Sequence, residues 1–109
     1  MISTREEAEL MFRKWMENSS TIFFTAFRPD RTVASSFYGK MTAVSQNMVA
    51  IAGEQYKAEL DLEESQFAFV TESDLPAEAR QQLDSSFDSG VFISQADGST
   101  FAFIEVDEQ

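Results

Sequence analysis

The chain has no cysteine and no histidine among its 109 residues. Without cysteine there is neither disulfide nor thiol chemistry, and the redox compartment leaves no mark. Without histidine the commonest general base, the commonest transition-metal ligand and the usual pH switch are all missing. Glycine is scarce at four residues and proline at two, so a glycine-rich phosphate loop has little to be built from. No apolar run approaches the roughly 20 residues that a membrane-spanning helix needs. The opening "MISTREEAEL" has no cationic stretch followed by an apolar one, so no secretory signal and no membrane are expected, and the expectation is a soluble cytoplasmic protein. Cations run short in the second half. Residues 1–57 hold seven Lys and Arg against six carboxylates, whereas residues 58–109 hold Arg80 against thirteen. The net charge of −11 therefore resides in the second half. A field of that sign repels phosphate backbones and argues against nucleic acid as a partner. It suits solubility, or the docking of a basic partner.

Apolar residues are plentiful. They make up 43% of the chain and include eleven Phe, enough for one packed domain over 1–109 without staples. The stretch "STREEAELMFRKWMEN" predicts a helix within 1–18. Ser3 with Glu6 and Thr4 with Glu7 are overlapping capping boxes, and Ala8, Met11, Phe12 and Trp15 fall on one face, widened by Met16. Residues 21–71 then read as an antiparallel meander of about five strands. "TIFFTAF" is apolar on both faces, and "RPDR" turns the chain. Gly39 sits inside the long strand "TVASSFYGKMTAV", where it marks a bulge, a sharp bend or a close backbone approach, and Gln46-Asn47 makes a tight turn. In "YKAELDL" the alternation places Tyr56, Ala58, Leu60 and Leu62 inward and Lys57, Glu59 and Asp61 in water.

Pro76, Leu83 and Phe87 predict a short helix over 74–88. A hairpin over 91–106 closes the chain, with Asp97-Gly98 as its two-residue loop. That register puts Val91, Ile93, Ala102 and Ile104 on one face and Phe92, Phe101 and Phe103 on the other. A hairpin apolar on both faces needs cover on both, from its own chain or from a second copy. Phe92, Phe101 and Phe103 are on this ground a candidate self-association surface.

Candidate chemistry is sparse. Ser–His and Cys–His pairs are excluded by composition, a Ser–Lys pair lacks the strand–turn–helix elbow that would expose the serine, and paired carboxylates leave an acid pair open. "DSSFDSG" spaces Asp84, Ser86 and Asp88 like a calcium loop, but its glycine comes one place late at Gly90 and Gln95 stands where the closing Glu belongs. No catalytic residue, metal site or cofactor is assigned. Arg28, Arg31 and Lys40, interleaved with aromatic residues, are candidate contacts for a ligand or for nucleic acid.

The helix followed by "TIFFTAFRPDRTVASSFYGKMTAVSQNMVAIAG" resembles the Sm-like fold across residues 8–70, with Gly39 at the bend of the second strand and "VSQNMVAI" at the turn into the third. The resemblance implies a small bent sheet whose subunits join edge to edge, and RNA contacts at the loop between those strands. At that loop Met48 fits the family pattern, while Ser45 and Val49 replace its Asp and Asn, and the later Arg-Gly is absent. The expected fold is α+β: an N-terminal helix on a curled antiparallel sheet or small β-barrel (Sm-like or SH3-like), then the short helix and the hairpin. The expected role is a non-catalytic oligomeric or protein-binding module, a homo-oligomer or the partner of another protein. The alternatives are a degenerate Sm-like nucleic-acid binder and a barrel holding a small ligand.

Overall fold

The structure, a computed structural model, describes residues 2–30, 32–70, 81 and 87–106. It is α+β: among the described residues an N-terminal helix packs against an open antiparallel sheet. Strand β1 (Ile2–Ser3) leads into helix α1 (Arg5–Glu17), followed by β2 (Ile22–Phe27), β3 (Val33–Val44), β4 (Met48–Ala52), β5 (Lys57–Asp61), β6 (Gln66–Val70), β7 (Phe87–Ser94) and β8 (Thr100–Val106).

Of the two possible capping boxes, the one at Thr4 forms. The Glu7 N–H donates to Thr4 Oγ1 at 3.2 Å, and the Thr4 N–H donates to Glu7 Oε1 at 3.1 Å. Ser3 does not cap, because Thr4 after it is itself extended (φ −88°, ψ 164°) where a helix capped by Ser3 would need helical backbone, and Ser3 instead pairs with Phe67 in the sheet. At the other end the Ser19 N–H donates to the Met16 carbonyl and the Ser20 N–H to the Trp15 carbonyl, closing the helix with a left-handed Ser19 at φ 51°.

The strand order is β1-β6-β7-β8-β2-β3-β4-β5, antiparallel throughout. Strands β2 to β5 form the expected meander, and Ser45 to Met48 make the expected turn around Gln46-Asn47, with the Ser45 N–H donating to the Met48 carbonyl at 2.8 Å. The fifth strand departs from that expectation. It leaves β5 and joins the far side of the sheet between β1 and β7. A flat sheet would place β6 six strand spacings from β5, about 29 Å. Only Leu62–Ser65 connect them, and that connection reaches about 18 Å when fully extended. The sheet must therefore curl around the helix. It stops short of a barrel, because β1 and β5 remain its two ends.

Helix α1 lies in the curl, chiefly against β3 and also touching β6. Ala8, Phe12 and Trp15 are wholly buried there among Phe24, Ile51, Leu60, Phe67, Ile93 and Phe103. Phe12 meets Phe103 edge to face at 5.2 Å, and Phe24 meets Phe103 in the same way at 5.0 Å. Phe23, Phe27, Ala102, Ile104 and Val106 make a second cluster on the opposite side of the central strands. Both faces of β2 and β8 are thus buried within one chain, and Phe23 and Ile104 are at most 1% exposed. Of the two sources of cover left open, the chain's own residues supply it for Phe23, Phe24 and Phe103.

Three further expectations change. Tyr56 is not buried; it is 63% exposed, one residue before β5 begins. The helix expected over 74–88 falls almost wholly outside the described residues, and its last two positions, Phe87 and Asp88, belong to β7. The terminal hairpin is one residue out of the expected register. Its loop is Ala96-Asp97-Gly98, since the Gly98 N–H donates to the Gln95 carbonyl at 3.0 Å and the Gln95 N–H to the Ser99 carbonyl at 2.9 Å. Asp97 captures the Ser99 N–H at 2.9 Å, and Gly98 supplies a φ of 92° after the turn. A three-residue loop with a positive-φ third residue won over the two-residue alternative.

Candidate interaction surface

A shift of one residue flips side chains between faces. Val91 pairs with Phe103, Phe92 with Ala102 and Ile93 with Phe101. Phe101 and Phe103 therefore face the helix side, whereas Phe92 faces outward near Phe27, with ring centroids 6.1 Å apart. The proposed surface of Phe92, Phe101 and Phe103 is thus corrected. Phe103 is fully buried, and the other two, both half-buried, lie on opposite faces.

The candidate cations are also apart. Arg28 Nη1 donates to Thr32 Oγ1 at 3.2 Å and to the Val33 carbonyl at 2.9 Å, so the guanidinium braces the β2–β3 turn. It borders a cleft of about 300 Å³ shared with Phe27, Pro29, Phe92 and Gly98. Hydrogen bonds from Thr32, together with the charge of Arg28, hold the Asp30 carboxyl below the usual carboxylate range, so an anion stands beside this cation. Lys40 Nζ donates to the Ser19 carbonyl at 2.9 Å, at the negative end of the helix dipole. Val33 and Lys40 are seven residues apart on one strand, roughly 23 Å, which keeps Arg28 and Lys40 at opposite ends of the hairpin. Arg31 lies outside the described residues.

Hydroxyls and carboxylates do meet at one place. Ser20 Oγ donates to Glu105 Oε2 at 2.6 Å, and Ser89 Oγ donates to Glu105 Oε1 at 3.3 Å. This arrangement anchors the α1–β2 connection to β8 and β7. Among the described residues no three carboxylates stand close enough to share a metal ion. The inside of the curl, where a small ligand was a possibility, is filled by Phe12, Trp15, Phe24 and Phe103.

What the topology leaves open is the outer edge of β5. The Gly53 N–H donates to the Tyr56 carbonyl at 2.7 Å, and the Leu62 N–H donates to the Asn47 carbonyl at 2.7 Å. Between these bonds Ile51 pairs with Ala58 and Val49 with Leu60. Antiparallel pairs alternate, so Tyr56, Ala58, Leu60 and Leu62 turn their backbone groups toward β4. Lys57, Glu59 and Asp61 turn theirs outward. The Asp61 carbonyl accepts from Gln95 Nε2 at 3.0 Å, which ties this end of β5 to the β7–β8 hairpin. Among the described residues no strand pairs with the outward N–H and C=O groups of Lys57 and Glu59. Both side chains are exposed, as is Tyr56, whose ring stands 5.9 Å from that of Phe37.

Sequence reasoning read the alternation of "YKAELDL" correctly at Ala58 to Leu62 but did not read it as an edge. A signal was present: β2 and β8 are apolar on both faces, whereas β5 carries a charge at every second position, as edge strands do. No family model, curated protein or solved structure matches this chain.

Proposed function

We propose that this chain is a non-catalytic protein-binding module whose working surface is the open edge of its sheet at β5. The observation that carries the proposal is the pair of residues Lys57 and Glu59, whose backbone donors and acceptors point away from β4 and are taken up by no described strand. An incoming extended segment would satisfy them in the way that sheets recruit strands, with main-chain hydrogen bonds for affinity and alternate side chains for selectivity. The edge-to-edge joining implied by the resemblance to the Sm-like fold agrees with this use of the sheet.

Nucleic-acid binding has less to rest on. Arg28 and Lys40 are spent on backbone carbonyls at opposite ends of a hairpin, in a chain of net charge −11.

Amide hydrogen exchange on the isolated chain tests the proposal. The Lys57 and Glu59 amides are expected to exchange rapidly, in contrast to Ala58 and Leu60, which donate toward β4. Strong protection of Lys57 and Glu59 in a chain shown to be monomeric would mean that the edge is already closed.

A further inference from the structure

We propose that the strand received at this edge is β5 of a second copy, in a twofold antiparallel pairing centred on Ala58. The inference rests on the edge reading above and adds the identity and register of the partner.

Three features select this register. The first is charge. Centring the axis on Ala58 sets Lys57 opposite Glu59 of the other copy, and Glu59 opposite Lys57, two unlike pairs on the exposed face. Centring it on Glu59 would set the two Glu59 carboxylates against each other.

The second feature is backbone parity. Lys57 and Glu59 both direct their N–H and C=O groups outward, so an opposed Lys57–Glu59 pair exchanges two hydrogen bonds. The Glu59-centred register would instead pair Lys57 with Asp61, whose carbonyl Gln95 already occupies. The Ala58-centred register needs only residues 56–60 and leaves the Gln95 contact intact.

The third feature is Tyr56. Among the described residues it is one of two exposed large apolar side chains, at 63%. In the Ala58-centred register it stands directly opposite Leu60 of the other copy, on the same side of the joined sheet, and each ring covers the neighbouring strand. The small Ala58 side chains meet at the axis, where bulk would hold the strands apart. A charged edge ordinarily protects a sheet from pairing with itself. Here the alternating signs make it complementary to its own reverse.

The proposal is tested on the full chain by sedimentation equilibrium at low salt, over about micromolar to about 100 µM, the range in which a short two-strand contact would associate. The expected result is a reversible monomer–dimer equilibrium. Lys57→Glu and Glu59→Lys should each weaken dimerisation by roughly tenfold or more, since each turns two unlike pairs into like ones. The combined K57E/E59K chain should recover the dimer, because the swapped charges face one another again. Glu59→Pro should abolish it. Glu59 makes no hydrogen bond to β4 in this ladder, so proline removes only an outward donor. Far-ultraviolet circular dichroism establishes that each variant is folded, and the exposed charge swaps carry the test if the proline variant is not.

A dimer that none of these changes affects would overturn the proposal, since association would then use another surface. Failure of the double swap to restore the dimer would overturn the register. A monomer throughout would overturn self-pairing, and amide exchange then separates the two ideas. Fast exchange at Lys57 and Glu59 leaves the edge open for a different protein, whereas protection there removes the edge reading as well.

Discussion

Ser19 carries a left-handed backbone, φ 51°, at the position where helices most often place glycine. A side chain costs about 1 kcal/mol in that conformation. Ser19→Gly is therefore expected to stabilise the fold by about 0.5–1 kcal/mol, read from the midpoint of urea unfolding. The Lys40 contact uses the Ser19 carbonyl and survives the change. At the other end of the molecule the backbone N–H and then the hydroxyl of Ser99 bond the ionised Asp97 and hold its carboxyl below the ordinary value of 3.8. The unfolded chain keeps the ordinary value and takes up the proton first as pH falls. The contribution to stability is thus complete above that value and is lost as pH drops through the lower, folded one. Asp97→Asn keeps an oxygen for the Ser99 N–H but removes the titration. Unfolding midpoints measured from about pH 6 to about pH 2 should decline less steeply for the variant at the acid end.

Among the elements, strand β3 shows most directly why a particular residue type is required. A Cβ on Gly39 would stand 2.5 Å from the Ala52 carbonyl oxygen and 2.9 Å from the Gly53 nitrogen. Both are backbone atoms, so neither can swing aside. Gly39→Ala should destabilise the fold by about 2 kcal/mol or more, with the loss seen in thermal unfolding and fast exchange appearing first in the β3–β4 pair. The sequence marked this glycine as a bulge, a bend or a close approach without choosing among them; the structure shows a close approach, by the end of β4 folding back from the Gln46-Asn47 turn. The terminal hairpin taught the reverse. Its turn residues were legible, yet Asp97-Gly98 serve equally in a two-residue or a three-residue loop. That ambiguity moved Phe101 and Phe103 onto the face of Val91 and Ile93, and left Phe92 on the other.

Across the whole molecule the curl of the sheet and the placement of α1 are one fact. Phe12 bridges them, touching Trp15 at 5.6 Å within the helix and Phe103 at 5.2 Å in the central strand β8. Phe12→Ala is expected to cost about 3–5 kcal/mol, measured by chemical unfolding, because the site is walled by rings that cannot collapse into the space. The same topology leaves β5 at an end of the sheet, paired with β4 on one side and, among the described residues, with no strand on the other. The open edge, and with it the proposed twofold contact, is therefore a consequence of topology.

The sequence by itself determined the local elements. Thr4 and Glu7 start the helix, its apolar stripe chooses the buried face, and Gln46-Asn47 makes a turn, because each of these depends on residues within a few positions of one another. Tertiary structure alone decided where β6 goes, which strands lie at the ends of the sheet and which aromatic rings share a face. Those outcomes depend on pairings between distant segments, such as Phe24 with Phe103 or Ala68 with Phe92, and apolar strands of similar composition leave several partners nearly equivalent until the whole core is packed.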